Sequence, residues 1–321
     1  MNRARRPRPL LEPSETDVER LEAAAGALRA RDYRQGGTFC KEGAETAKRA
    51  SLLLRWASVP DVLRPRLCTV LADIHNLLGW IEFDAGHPFA ARLRFERALE
   101  FAVEADNDNL VANIHYRLGR LHLHHDDPGR ALDQFGRGDL AARRSGAHRA
   151  HALLQVNTAW AHAMTGDEAT TLDALARAED LFGAMDSWHP PQPWEAFFGS
   201  TDMAAMRGSV FTELAHRQNI RYSERAIPPL AWAIGRYGPE MARSRSLTMI
   251  MLAHNHALRD EFGPAAATTA HAIAIARHLG SVRPKDRLGP LAGTLRRRPG
   301  SRPARELLNS VTAFRVESLP K

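Results

Sequence analysis

Residues 71–98 read LADIHNLLGWIEFDAGHPFAARLRFERA, and this stretch decides the fold. Leu71, Ile74, Leu78 and Ile81 recur at three and four residues, the stripe of one helix face. The run stops at Asp84-Ala85-Gly86, and Pro88 opens the next one. Glycine accepts the backbone turn that ends a helix, and proline suits the first turn of the helix that follows. Ala91, Phe95 and Ala98 then line one face of a second helix. Gly79 and Ala91 are small enough for two helix backbones to approach, and Phe95 has the bulk to fill the space beside them. The stretch predicts two packed helices joined by a tight turn.

The same order returns at a spacing of 40. Gly79, Gly119 and Ala159 hold the close-contact position, and Gly86, Asp126 and Gly166 the turn. Ala91, Ala131 and Thr171 follow, then Phe95, Phe135 and Leu175, then Ala98, Gly138 and Ala178. A fixed period of about 20–50 residues marks stacked repeats, which bind other molecules along an extended surface. Two looser pairs follow, at 202–214 with 226–237 and at 249–259 with 265–279. Single helices over 16–31 and 303–314 are expected to cap the stack. The predicted organisation is a basic, Pro-rich tail (1–15), N-terminal helices with three repeats (16–185), a Pro/Trp-rich connection (186–199), two more pairs (200–283) and a C-terminal cap (284–321). Three prolines between Pro190 and Pro193 force the connection into an extended path. It reads either as a joint between two blocks or as a loop packed by Trp188 and Trp194, and the packed loop is the expectation.

The order within a copy resembles the tetratricopeptide repeat. There a small residue on the first helix meets an alanine on the second, and an aromatic and another alanine follow; the usual period is about 34. The longer period here implies longer helices or longer inter-repeat turns. The fold expected is an all-α, right-handed superhelical solenoid of about five helix pairs. A narrower resemblance rests on Asp17–Gly37, on Leu78-Gly79-Trp80 with Phe83-Asp84-Ala85-Gly86, and on Ser281-Val282-Arg283. These segments look like the regulatory half of actinobacterial tetratricopeptide-type transcriptional regulators. The resemblance implies transcriptional or developmental control. Members typically carry a helix-turn-helix domain ahead of this region, whereas 16 residues precede Asp17 here. Regulation through a partner is therefore expected, without direct reading of DNA.

The chain has 321 residues and a net charge of +7. That charge permits an acidic partner without requiring nucleic acid. It is densest at Arg3–Arg8 and Arg296–Arg305, which read as solvated segments, with contact to nucleic acid or an acidic protein as the alternative. Two cysteines, Cys40 and Cys68, give no disulfide framework. No apolar run approaches the roughly 18 residues needed to span a membrane, and no apolar segment follows the basic start. A cytoplasmic location is expected, with no membrane association; a homodimer is allowed.

No phosphate-cradling glycine loop and no esterase elbow occur, and the chain reads as a non-enzyme with no cofactor. His122, His124, His125, Asp126 and Asp127 carry metal-binding chemistry but sit at a helix end, pointing in different directions. His254 and His256 lack the spacing of four that puts two ligands on one helix face. Cys68 reads as core.

First helices of stacked pairs line the concave side. Stepping along them gives Trp80, Arg120 and Trp160, then Asn76, Tyr116 and Val156, then Asp73, Asn113 and Leu153. Asp73, Asn76, Trp80, Asn113, Tyr116, Arg120 and Trp160 form the candidate groove. Trp, Tyr and Arg dominate binding hot spots, and Asn can pair with a peptide backbone. Arg120, Asn76 and Asn113 are expected to face the groove. Trp80 and Trp160 either flank Arg120 as platforms or pack between hairpins. The set suits a peptide, a protein segment bearing a carboxylate, or a planar anionic signalling molecule. An assembly scaffold and nucleic-acid contact through the basic ends are the competing classes.

Overall fold

The computed structural model describes residues 13–36, 40–56, 59–185 and 190–318. Among these residues there are helices and turns and no strand. The helices are α1 (Glu15–Gln35), α2 (Cys40–Trp56), α3 (Arg64–Asp84), α4 (Pro88–Glu104), α5 (Asp108–His124), α6 (Pro128–Arg144) and α7 (His148–Thr165). They continue with α8 (Glu168–Gly183), α9 (Ser200–Arg217), α10 (Tyr222–Ile234), α11 (Ala242–Leu258), α12 (Phe262–Ala276), α13 (Arg283–Arg296) and α14 (Arg302–Val316). A 3-10 turn at Pro239–Met241 precedes α11.

Each odd-numbered helix packs on the even one after it, from α1 with α2 to α13 with α14. The contact predicted from Gly79 is present. A Cβ placed there would lie 2.6 Å from Phe95 Cε1, and one at Gly119 would lie 2.2 Å from Phe135 Cε1. Phe95 and Phe135 are buried in those notches, and Leu230 fills the same role beside Gly208.

The 40-residue period is two periods of 20. Left-handed backbone occurs at Gly86, Asp106, Asp126, Gly146 and Gly166, with φ of 85°, 52°, 57°, 65° and 80°. The next amide after each, from His87, Asn107, Asp127, Ala147 and Asp167, donates to the carbonyl five residues back, at 2.9–3.1 Å. This is the Schellman closure of a helix end. Asn107, Asp127 and Asp167 then cap the following helix by accepting from the amides of Leu110, Arg130 and Thr170. One turn chemistry thus serves within and between hairpins. The extra residues relative to a 34-residue repeat lie in the helices: α4, α5 and α6 have 17 residues each.

The estimate of about five pairs is corrected to seven. Helix α2 and helix α13 were not foreseen as separate elements. The α2 sequence lacks the small–large signature, and Pro284 and Pro290 within α13 read as breakers. The first is tolerated at the helix start.

The odd-numbered helices form an inner row, each touching the next odd one from α3 to α13. Helix α1 touches both α3 and α11 and so links the start of the row to its next-to-last member. The backbone joins there as well: Gly280 N donates to Gln35 O at 3.0 Å, and Val282 N to Asp84 O at 2.8 Å. The connection before α9 packs on the row. Trp194 is buried, and its indole N–H donates to Asn109 Oδ1 at 2.6 Å. Trp188 and Arg3–Arg8 lie outside the described residues, as does the Cys40 side chain. Arg298 pairs with Asp260 at 2.7 Å and Arg302 with Glu306 at 2.8 Å, so part of the second basic segment is matched by carboxylates.

Candidate functional site

The inner row encloses a cavity of about 110 Å³. Helix α3 contributes Trp80, α5 contributes Tyr116, Arg117 and Arg120, and α7 contributes Trp160. Across from them, α9 supplies Asp202 and Met206, α11 supplies Arg243 and Leu247, and α13 supplies Arg283 and Arg287. The last two are four residues apart, on one helix face. A neighbouring cleft of about 420 Å³ shares Tyr33, Phe197, Asp202, Tyr237 and Met241 with the cavity and reaches Pro193 and Gly199 of the packed connection.

The walls are aromatic and cationic. Arg120 Cζ lies 4.4 Å and Arg287 Cζ 4.9 Å from the Trp160 ring centre. Arg283 lies 4.8 Å and Arg117 5.4 Å from the Trp80 ring centre. Tyr116 stacks between Trp80 and Phe197, at 6.5 and 6.1 Å.

These guanidiniums differ in their partners. Arg243 bridges Asp32 of α1, at 3.1 Å, and Asp84 of α3. Arg283 bridges Asp84 at 3.1 Å, and Ser281 Oγ donates to the same carboxylate. Burial works against the Arg243 charge, yet Asp32 and Asp84 outweigh it and raise its pKa. Arg117, by contrast, donates to the Asn76 carbonyl at 2.8 Å, and Arg120 to Asn157 Oδ1 at 3.1 Å. Neither they nor Arg287 has a carboxylate within ion-pair distance among the described residues. Burial, reinforced by Arg283 and Arg287, pushes Arg120 down to about 9. Burial lowers Arg117 and Arg287 too; Arg29 adds to the first effect, and Glu213 opposes the second.

The cavity's own carboxyl is Asp202, which accepts from Tyr237 Oη at 3.0 Å. Burial pushes it up to about 7, so near neutral pH it cancels the arginines incompletely.

Four of the seven predicted site residues, Trp80, Tyr116, Arg120 and Trp160, line this cavity. The other three do not. Asn76 and Asn113 are corrected from groove-facing to buried: Asn76 donates to Asn113, which donates to the Trp194 carbonyl, so the packed connection covers both. Asp73 is covered by α1 and pairs with Arg29, at 2.6 Å to Oδ1. Arg120 itself lies in an enclosed wall and not on an open trough, because α9, α11 and α13 stand opposite. Sequence reasoning missed Asp202, Arg243 and Arg287. The four-residue spacing of Arg283 and Arg287 was a legible hint that this segment is helical.

The histidines are placed elsewhere. His124 pairs with Asp286 at 2.9 Å, His122 lies 3.9 Å from Asp127, and His254 bonds Thr294 Oγ1 at 3.0 Å. Among the described residues no group of three or more His, Cys, Asp or Glu could hold a metal ion. Cys68 is fully buried, and burial pushes its thiol up to about 11. No helix among the described residues is long and apolar enough to cross a membrane. No family model matches the chain, and a search of curated proteins finds no match.

Proposed function

We propose that the chain is a non-enzymatic regulatory binding protein of tetratricopeptide type, a right-handed superhelix of helix pairs that receives a ligand in its central cavity. One observation carries this reading: five arginines meet aromatic walls around one cavity, and three of them have no carboxylate partner at ion-pair distance among the described residues. Buried charge without a partner is costly to folding, so a fold that keeps it has a use for it. Binding that links the inner row to the α1–α11 contact would couple occupancy to the ends of the stack. This is the means by which such a protein would pass a signal to a partner in transcriptional or developmental control in the cytoplasm.

The test is native mass spectrometry of the protein isolated gently from its own cell. The expected spectrum shows a bound small molecule, lost from Arg120→Met. Protein that emerges with no bound species, and that also captures no protein partner, contradicts the reading.

A further inference from the structure

The chemistry of the cavity narrows what it can hold. This step rests on the receptor reading above. The walls are flat and apolar at Trp80, Tyr116, Trp160 and Phe197. The polar groups that remain are five arginines, several hydroxyls and the carboxyl of Asp202. Arg120 and Arg287 both line the cavity and both approach the Trp160 ring, at 4.4 and 4.9 Å, so two guanidiniums share one aromatic wall. The Trp160 indole N–H is buried and meets no acceptor from the protein, and the Tyr33 hydroxyl is in the same position. Acceptors are scarce: Asp202 is engaged by Tyr237, and Asp32 and Asp84 are engaged by Arg243 and Arg283. Glu213 and Asp286 are the other acidic groups acting on Arg287, and neither bridges it. A surplus of buried cations and donors against flat apolar walls selects an anion with a planar body. A cavity of about 110 Å³, smaller than the roughly 150 Å³ of an engineered apolar cavity that takes benzene, limits that body to a single ring and leaves no room for a folded peptide.

We propose that the cavity binds a small aromatic carboxylate, its ring between the aromatic walls and its carboxylate held by Arg120 and Arg287. Arg120 and Arg287 form the charge clamp, and the cleft beside Pro193–Gly199 is the mouth.

The probes are benzoate and its neutral amide, benzamide, titrated calorimetrically into the full chain at low and physiological salt. The pair differs in charge and hardly in shape. Binding of the acid at least tenfold tighter than the amide, about 1.4 kcal/mol, supports the clamp. The preference should vanish in Arg120→Gln and in Arg287→Gln while thermal unfolding stays cooperative. Equal binding of acid and amide overturns the anion assignment and leaves the receptor reading intact. So does failure of both probes when protein from its own cell carries some other molecule. Failure of both probes together with empty protein from the cell removes the clamp and the receptor reading at once.

Discussion

Two sets of buried arginines meet at the centre of this molecule. At the seam where α1 and α3 meet α11 and α13, Arg243 and Arg283 reach Asp32 and Asp84, four charges in near balance. On the cavity wall, Arg117, Arg120 and Arg287 meet carbonyl and amide oxygens and aromatic rings in place of carboxylates. All of these but Arg287, which is half-buried, have been taken out of water. In the first set the chain supplies the counter-charge; in the second it does not. The seam therefore ties α1 and α3 to α11 and α13, and the wall carries charge that no carboxylate among the described residues matches at ion-pair distance.

Breaking the seam should have the largest effect. Asp84→Ala removes the shared partner of Arg243 and Arg283 and leaves buried charge unmatched, a loss of about 3–5 kcal/mol. Urea unfolding reads it, and a loss below 1 kcal/mol would make the seam ornamental.

The next effect depends on pH and sharpens the contrast from the cavity side. Asp202 is held near 7 by burial, against an ordinary value of 3.8. Between those values the folded chain binds the proton that the unfolded chain releases, so stability from this group falls as pH rises through about 7. Asp202→Asn should leave stability unchanged at pH 4 and raise it at pH 8, by an amount on the order of 2–4 kcal/mol. Thermal unfolding at both pH values checks the sign, and an equal shift at both would contradict the burial argument.

A smaller pair of substitutions probes the repeat that supports both regions. Gly119→Ala drives a Cβ to 2.2 Å from Phe135 and should cost about 1–3 kcal/mol. Gly136→Ala meets nothing within 4 Å and should gain about 0.5–1 kcal/mol from helix propensity. Two glycines in adjacent helices would then answer the same substitution with opposite signs in unfolding experiments.

Much of the frame was legible in the sequence because a repeat states itself several times. The notches at Gly79 and Gly119, the fillers Phe95 and Phe135, and the turns at Gly86, Asp126 and Gly166 all follow from local size and backbone rules. The turns at Asp106 and Gly146 obey the same rule, and noticing them would have halved the period. Helices α2 and α13 carry no copy of the signature, so periodicity could not find them. Within the site, Trp80, Tyr116, Arg120 and Trp160 were accessible because equivalent positions on successive helices share a face. Their opposite wall was not. Asp32 and Arg243 are 211 positions apart, and nothing local in either segment names the other. Asn76 and Asn113 misled because an inward-facing position is open only while no later element covers it, and the Trp194 segment does cover it.

The central contrast is tested most directly by unfolding Arg243→Met and Arg120→Met in urea beside the unmodified chain. A neutral side chain of similar length strands Asp32 and leaves Asp84 to Arg283 in the first, and removes an unmatched charge in the second. The expected result is a loss of about 3–5 kcal/mol for Arg243→Met and no loss, or a gain of about 1 kcal/mol, for Arg120→Met. Losses of similar size in both would mean that Arg120 is a structural arginine like its neighbour at the seam, and that the cavity wall holds no charge in reserve.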